Sequence, residues 1–242
     1  WGEETNTEGT RVGLNTTPWK GGEVRTTIER QMTENSERVF ALFGLGQTWQ
    51  LSQRWSVDLN LDRSYTVKND ITDERVNNKV PPASGGKDDF TAVSVGAAYK
   101  VERWSWWNRL ETRTGDMEDK VGISSGLVGE VRQGVAVSAK LLAFITKSSG
   151  GNKRDEEEIT LGMVYRPNRS KWILLERLDV SLFNESGDSN NDGMRIVNHL
   201  HANFRINRKW QTSFYYGLKY VRENYDGDRY DGYTDMLAVE TR

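Results

Sequence analysis

Apolar and polar residues alternate with period two along most of this chain, over segments of about ten residues or more. In Trp55–Asp62 the apolar set is Trp55, Val57, Leu59 and Leu61, and Ser56, Asp58, Asn60 and Asp62 stand between them. A period of two places these sets on opposite faces of a β-strand. Similar patterns occur over residues 10–19, 22–32, 38–51, 54–67, 89–101, 104–114, 120–131, 134–146, 157–167, 171–183, 194–206, 209–224 and 232–242. These thirteen segments predict an all-β chain. Ordinary globular strands run about five or six residues, whereas a membrane-crossing strand needs about nine to eleven.

The connections add a second pattern. WKGGE, LSQRW, VERW, VRQGV, PNRSK and INRKW read as short turns, and more open polar segments fall between them. Long connections are expected near 68–88, 147–157, 184–193 and 225–232, with shorter ones at 33–37 and 115–119. A short–long alternation is the habit of a transmembrane barrel, with tight periplasmic turns and longer outer loops. Trp19, Trp49, Trp55, Trp104, Trp106, Trp107, Trp172 and Trp210 all lie at or near the short turns. Tyr65, Tyr220, Tyr225, Tyr230 and Tyr233 lie towards the other end. Indole rings favour the membrane–water boundary, so Trp19, Trp49, Trp55, Trp104, Trp106, Trp172 and Trp210 are the candidate interface aromatics.

Composition is compatible with this reading. Over 242 residues, 36% are hydrophobic and 28% charged, and the mean hydropathy is −0.73. No run approaches the roughly 18 apolar residues of a membrane helix, but an alternating strand averages near zero and is invisible to that test. A net charge of −2 argues against a nucleic-acid partner. With no Cys there is neither a disulfide framework nor a thiolate metal site. The first residues, WGEETNTEG, carry no signal-peptide pattern. No linker or charge block divides the chain, so residues 1–242 read as one barrel segment.

A lipid-facing Arg or Lys near the bilayer midplane costs about 2–4 kcal/mol, so strand faces that carry charge must point inward. The lumen-lining candidates are Asp58, Asp62, Arg109, Glu111, Arg113, Glu130, Lys140, Arg177, Asp179, His199, His201, Arg205 and Lys219, with Arg166 and Glu240 beside them. Their signs are mixed. Cross-strand pairing that stiffens the wall is favoured over a selectivity stripe. Glu176 breaks the pattern, since it shares a parity with Leu174 and Leu178. Either it sits near the interface or the register slips there.

Chemical signatures are sparse. His199 and His201 share a strand face, but no third metal ligand is evident, and a Ser–His pair for lipid hydrolysis would need a Ser at the lipid surface. Asp188, Asn190 and Asp192 match the first half of a calcium loop, yet the position of the bidentate Glu is His199. A solvated loop is the preferred reading. No enzymatic activity, resident metal or cofactor is expected.

Strand direction carries one further expectation. The first and last strands both run towards the short-turn side. A single-chain bacterial barrel usually has an even strand number, and an open edge is not tolerated in lipid. A segment of a larger barrel is therefore expected, with the alternatives that the end strands pair with each other or with another chain.

TRVGLNTTPWKGGEV, RVFALFGLGQTWQLSQRWSVDLNLDRSYTV, DDFTAVSVGAAYKVERWSWWNRLETR and YGLKYVRENYDGDRYDGYTD together resemble the C-terminal barrel region of very large Gram-negative surface proteins with upstream repeat domains. The resemblance spans most of the chain and rests on strand-and-turn phrasing. It implies an outer-membrane anchor or conduit without catalytic residues. It also implies further strands of the same chain or other subunits of an envelope assembly as partners. Membrane lipid, including lipopolysaccharide, is the other expected partner. A general diffusion porin for small solutes is the alternative.

Overall fold

The computed structural model describes residues 8–32, 37–69, 89–187, 190–207 and 209–241. They form one antiparallel, up-and-down sheet in strict chain order. Its strands are β1 (Glu8–Thr16), β2 (Gly22–Met32), β3 (Glu37–Gln50), β4 (Trp55–Asn69), β5 (Phe90–Lys100), β6 (Trp104–Gly115), β7 (Glu118–Arg132), β8 (Val135–Ser148), β9 (Lys153–Tyr165), β10 (Trp172–Ser186), β11 (Asn191–Arg205), β12 (Gln211–Tyr225) and β13 (Asp228–Thr241). The thirteen strands read from the alternation are these thirteen. No described helix is long and apolar enough to cross a membrane, which says nothing about strands.

Directly paired residues in an antiparallel ladder share a face, so the register assigns every side chain. The pairs Gly46↔Asn60, Asn60↔Ser94, Ser94↔Glu111 and Glu111↔Gly122 carry one polar face across β3 to β7. The pairs Leu45↔Leu61, Leu61↔Val93, Val93↔Thr112 and Thr112↔Val121 carry the opposite, largely apolar face. The surface is inverted relative to that of a soluble domain. Arg38 and Ser64, on the polar face, are 1% and 0% exposed, whereas Leu110 and Val121, on the apolar face, are 59% and 56% exposed. Among the described residues, Phe40, Phe90 and Ala202 are the only buried hydrophobic side chains. The sheet thus curls around its polar face and presents its apolar face outward. An outward apolar surface spread over thirteen strands is that of a sheet lying in lipid.

Short–long alternation does not survive as connection length. The expected long loops at 147–157, 184–193 and 225–232 shrink to 149–152, 187–190 and 226–227, and 115–119 shrinks to 116–117. Only the connection between β4 and β5 stays long, and most of the 68–88 expectation lies outside the described residues. Hydrophobic alternation stops where the lipid stops, but backbone pairing continues. Five strands reach 15 residues, or about 50 Å at ~3.3 Å per residue. Even tilted by ~40°, such a strand rises well beyond an apolar band of about 25 Å. Charge ladders line the polar extensions. Arg154 bridges Glu156 and Glu185, each at 2.7 Å, and Asp231 binds Arg229 at 2.7 Å and Arg222 at 3.1 Å.

Large rings lie over facing glycines. Trp104 opposes Gly129, Trp107 opposes Gly126, and Phe144 opposes Gly122. A Cβ at Gly122 would stand 2.0 Å from Phe144 Cδ1, and one at Gly129 would stand 2.0 Å from Trp104 Cε3. The ring covers backbone that glycine leaves bare. Gly122→Val is therefore expected to lower stability by about 1–3 kcal/mol through overpacking. Gly9→Val, where nothing lies within 4 Å, should change it far less. Midpoints of urea unfolding from lipid vesicles read the difference.

Candidate functional site: the polar face of the sheet

Every one of the thirteen candidate lining residues falls on the polar face. Asp58 and Asp62 oppose Thr48 and Gly44. Arg109, Glu111 and Arg113 oppose Gly96, Ser94 and Ala92. Glu130 and Lys140 oppose Ala136 and Gly126. Arg177 and Asp179 oppose His199 and Val197, and His201 opposes Leu175. Arg205 and Lys219 oppose Gln211 and Val197. Glu240 shares this parity through Ser213. Arg166 lies in the connection after β9.

Some of these side chains pair across strands and others along one strand. Arg109 Nη2 donates to Asp58 Oδ2 at 2.7 Å, and Asn60 Nδ2 donates to the same oxygen at 2.9 Å. Arg25 Nη2 reaches Asp62 Oδ1 at 3.3 Å. Asp179 accepts from Arg177 Nε at 2.8 Å and from Thr160 Oγ1 at 2.7 Å. The Glu130 carboxylate accepts the Gly134 N–H at 3.1 Å, which fastens the turn between β7 and β8. Acid and base neutralise one another where they pair, and among the described residues no stripe of one sign crosses the sheet.

A cluster missed by the sequence reading packs the loop end of β2 to β6. Arg38 donates to Gln31 Oε1 through Nη2 at 2.6 Å and through Nε at 3.2 Å, and its guanidinium lies 4.9 Å from the Phe40 ring centroid. The Arg113 guanidinium lies 3.9 Å from the Phe90 ring centroid. Ser64, fully buried, pairs with Phe90 and Leu42. Period two concealed this cluster, because RVFALFGLG is apolar on both parities. Two phenylalanines thus stand on the face assigned to polar side chains, and two arginines pack on their rings.

The interface aromatics divide cleanly. Trp49, Trp55, Trp104, Trp106 and Trp172 take the outward parity, and Trp19 and Trp210 sit in connections beside β2 and β12. Trp55 contacts Tyr99 at 4.8 Å and Trp106 at 6.0 Å between ring centroids. Trp107 turns inward over Gly126. At the other end Tyr65, Tyr220 and Tyr233 face outward, but Tyr225 and Tyr230 take the polar parity and leave that girdle. Glu176 remains on the outward face with its register intact. The amide of Asn198, diagonally across β11, donates to its Oε1.

Both imidazoles face the polar side. His201 stacks on Tyr215 at 4.2 Å and 16°, and its Nε2 is buried without a hydrogen bond. They line a trough of about 670 Å³ together with Lys140, Glu158, Arg177 and Leu175. A Ser at the lipid surface, which a Ser–His pair for lipid hydrolysis would need, stands on the opposite face from both rings. Among the described residues no group of three or more potential metal ligands forms. Of the calcium-loop candidates, Asp188 lies outside the described residues. The N–H of Asn190 binds Asp226 Oδ1 at 2.9 Å, and Asp192 Oδ1 accepts from Asn224 Nδ2 at 3.1 Å. Both tie the loop to β12 and its turn.

No family model and no curated protein matches the chain. Among solved structures it is similar to a bacterial polysaccharide outer membrane secretin, with 9% identity over 97% of this chain and 78% of that one and a TM-score of 0.48. It is also similar to the outer membrane channel DcaP of Acinetobacter baumannii, with 11% identity over 96% and 85% and a TM-score of 0.44. For the anion-selective porin from Comamonas acidovorans the values are 10%, 96%, 87% and 0.44. At these scores none of the likenesses bears on solute, partner or activity.

Exposed ion pairs on such a face contribute little. A double-mutant cycle on Arg109→Ala and Asp58→Ala is expected to give a coupling of about 0.2–1 kcal/mol. Equilibrium unfolding of the four proteins measures it.

Proposed function

We propose that this chain builds the wall of a bacterial outer-membrane β-barrel. The wall is non-enzymatic and serves as anchor or conduit for a larger surface or secretion assembly. One observation carries the reading: the sheet turns its charged and polar side chains to one face and leaves large apolar ones exposed on the other, over strands long enough to cross a bilayer. The polar face then lines the lumen, and the Trp-bearing turns mark the periplasmic side. The membership of a larger assembly draws support from the unpartnered edges of β1 and β13. Among the described residues no contact joins these two strands, and both run towards the tryptophan end. An all-antiparallel closure therefore takes an odd number of strands between them, supplied by the same polypeptide or by other subunits. The resemblance to very large surface proteins with upstream repeat domains points the same way.

A second reading, a general diffusion porin for small solutes, is favoured by the mixed signs on the polar face, which would give weak charge selectivity. Single-channel recording in planar bilayers separates the two. A steady, large conductance supports the porin, and a silent or gated barrel supports the anchor or conduit. If an open state is recorded, Asp58→Asn with Asp62→Asn should move the permeability ratio towards anions, since Arg25 and Arg109 lose their carboxylates. An unchanged reversal potential under a salt gradient would remove these residues from the lumen.

A further inference from the structure

The outward face of β1 to β4 is not uniformly apolar. Small side chains at Thr26 and Ala41 leave a groove of about 490 Å³ between Leu14, Ile28, Phe43 and Tyr65, with Arg63 on its margin. Its walls are strongly exposed: Leu14, Ile28, Phe43 and Tyr65 are all large side chains open to the surroundings. Arg63 takes the outward parity opposite Phe43 and Thr91. Its Nη1 donates to Thr91 Oγ1 at 2.7 Å, and among the described residues no carboxylate lies within ion-pair distance of it. Every other outward-facing Lys or Arg among the described strands stands within three residues of a strand end, whereas Arg63 stands six from the end of β4. Eight residues separate it from Trp55, or about 20 Å of height at ~3.3 Å per residue and ~40° of tilt. That puts the guanidinium just inside the loop-side boundary of a band about 25 Å tall, next to Tyr65. Two residues beyond the groove, Arg30 and Lys68 both bind Glu37 on the same outward face, so charged groups continue where headgroups lie.

A cation without a carboxylate, at the acyl–headgroup boundary and beside an apolar groove, matches an amphiphile with an anionic head and a hydrocarbon tail. We propose that this face binds one phosphorylated glycolipid of the outer leaflet, with a phosphate on Arg63 and an acyl chain in the groove over Thr26 and Ala41. The phosphate supplies the charge-assisted acceptor that Arg63 lacks in the protein. The site rests on the reading of the sheet as a membrane wall. It is distinct from the lumen, because Arg63 and Asp62 project to opposite faces.

Full-length chain folded in neutral detergent is titrated with a bisphosphorylated, multiply acylated glycolipid and with its dephosphorylated form. Retained lipid is counted by native mass spectrometry. The expected result is one retained phosphorylated lipid, with apparent affinity about tenfold or more weaker after Arg63→Ala, and similarly weaker after Ala41→Trp, which fills the groove. Loss of the lipid phosphates should match the Arg63→Ala loss. Arg11→Ala, on the polar face of the same sheet, should bind like the wild type. Equal retention by wild type and Arg63→Ala, or equal retention of the dephosphorylated lipid, overturns the site. Vesicle flotation of each variant keeps the two readings apart: a wild-type protein that fails to float loses the membrane wall itself, whereas variants that float normally but retain no lipid differently lose only the lipid site.

Discussion

Hydrogen bonding of the backbone governs this molecule. In hydrocarbon an unpaired N–H or C=O costs several kcal/mol, since no water can replace the missing partner. Eleven of the thirteen strands meet that demand with a neighbour on each side, through ladders that run nearly their full length. β1 and β13 meet it on one side only. Everything distinctive about the chain follows from satisfying the ladder first and distributing side chains second. Polar residues turn to the enclosed face, where they pair, and apolar residues turn outward, where lipid receives them.

The same demand explains why the strands outrun the membrane. Once a ladder is started, extending it past the headgroups satisfies the backbone as well as water would. Cross-strand charges then hold it in register, as Arg154 of β9 does with Glu185 of β10. Acidic and basic side chains on these extensions sit on both faces, since neither faces hydrocarbon there. A tall polar rim on the loop side, with compact turns at 149–152 and 226–227, is the consequence.

How far the sequence announced this depends on which residues were forced. Positions facing lipid had little latitude. Trp55, Val57, Leu59 and Leu61 made β4 legible, and the same logic placed Asp58, Asp62, Arg109 and Lys140 on the opposite face. Connection lengths were not legible, because YDGDRYDG reads as a loop by its turn-formers although all but two of its residues are paired in β12 and β13. Arg38 and Phe40 were hidden for a different reason. The enclosed face can accept an aromatic ring when an arginine lies on it, so apolarity there carries no directional signal. Glu176 shares a parity with apolar residues, and its partner Asn198 lies on another strand, beyond the reach of any local pattern.

The two faces of each strand meet lipid and water respectively, and this difference can be read residue by residue. The chain has no Cys, so single cysteines can be introduced without removing others. Spin labels placed one at a time along residues 56–66 of β4, in protein reconstituted into bilayers, report collision with dissolved oxygen and with a water-soluble nickel chelate. The expected result is period-two oscillations in opposite phase, with oxygen accessibility highest at Val57, Leu59, Leu61 and Tyr65 and chelate accessibility highest at Ser56, Asp58, Asn60 and Asp62. Oscillations with the phases exchanged, or no alternation along the strand, would contradict it.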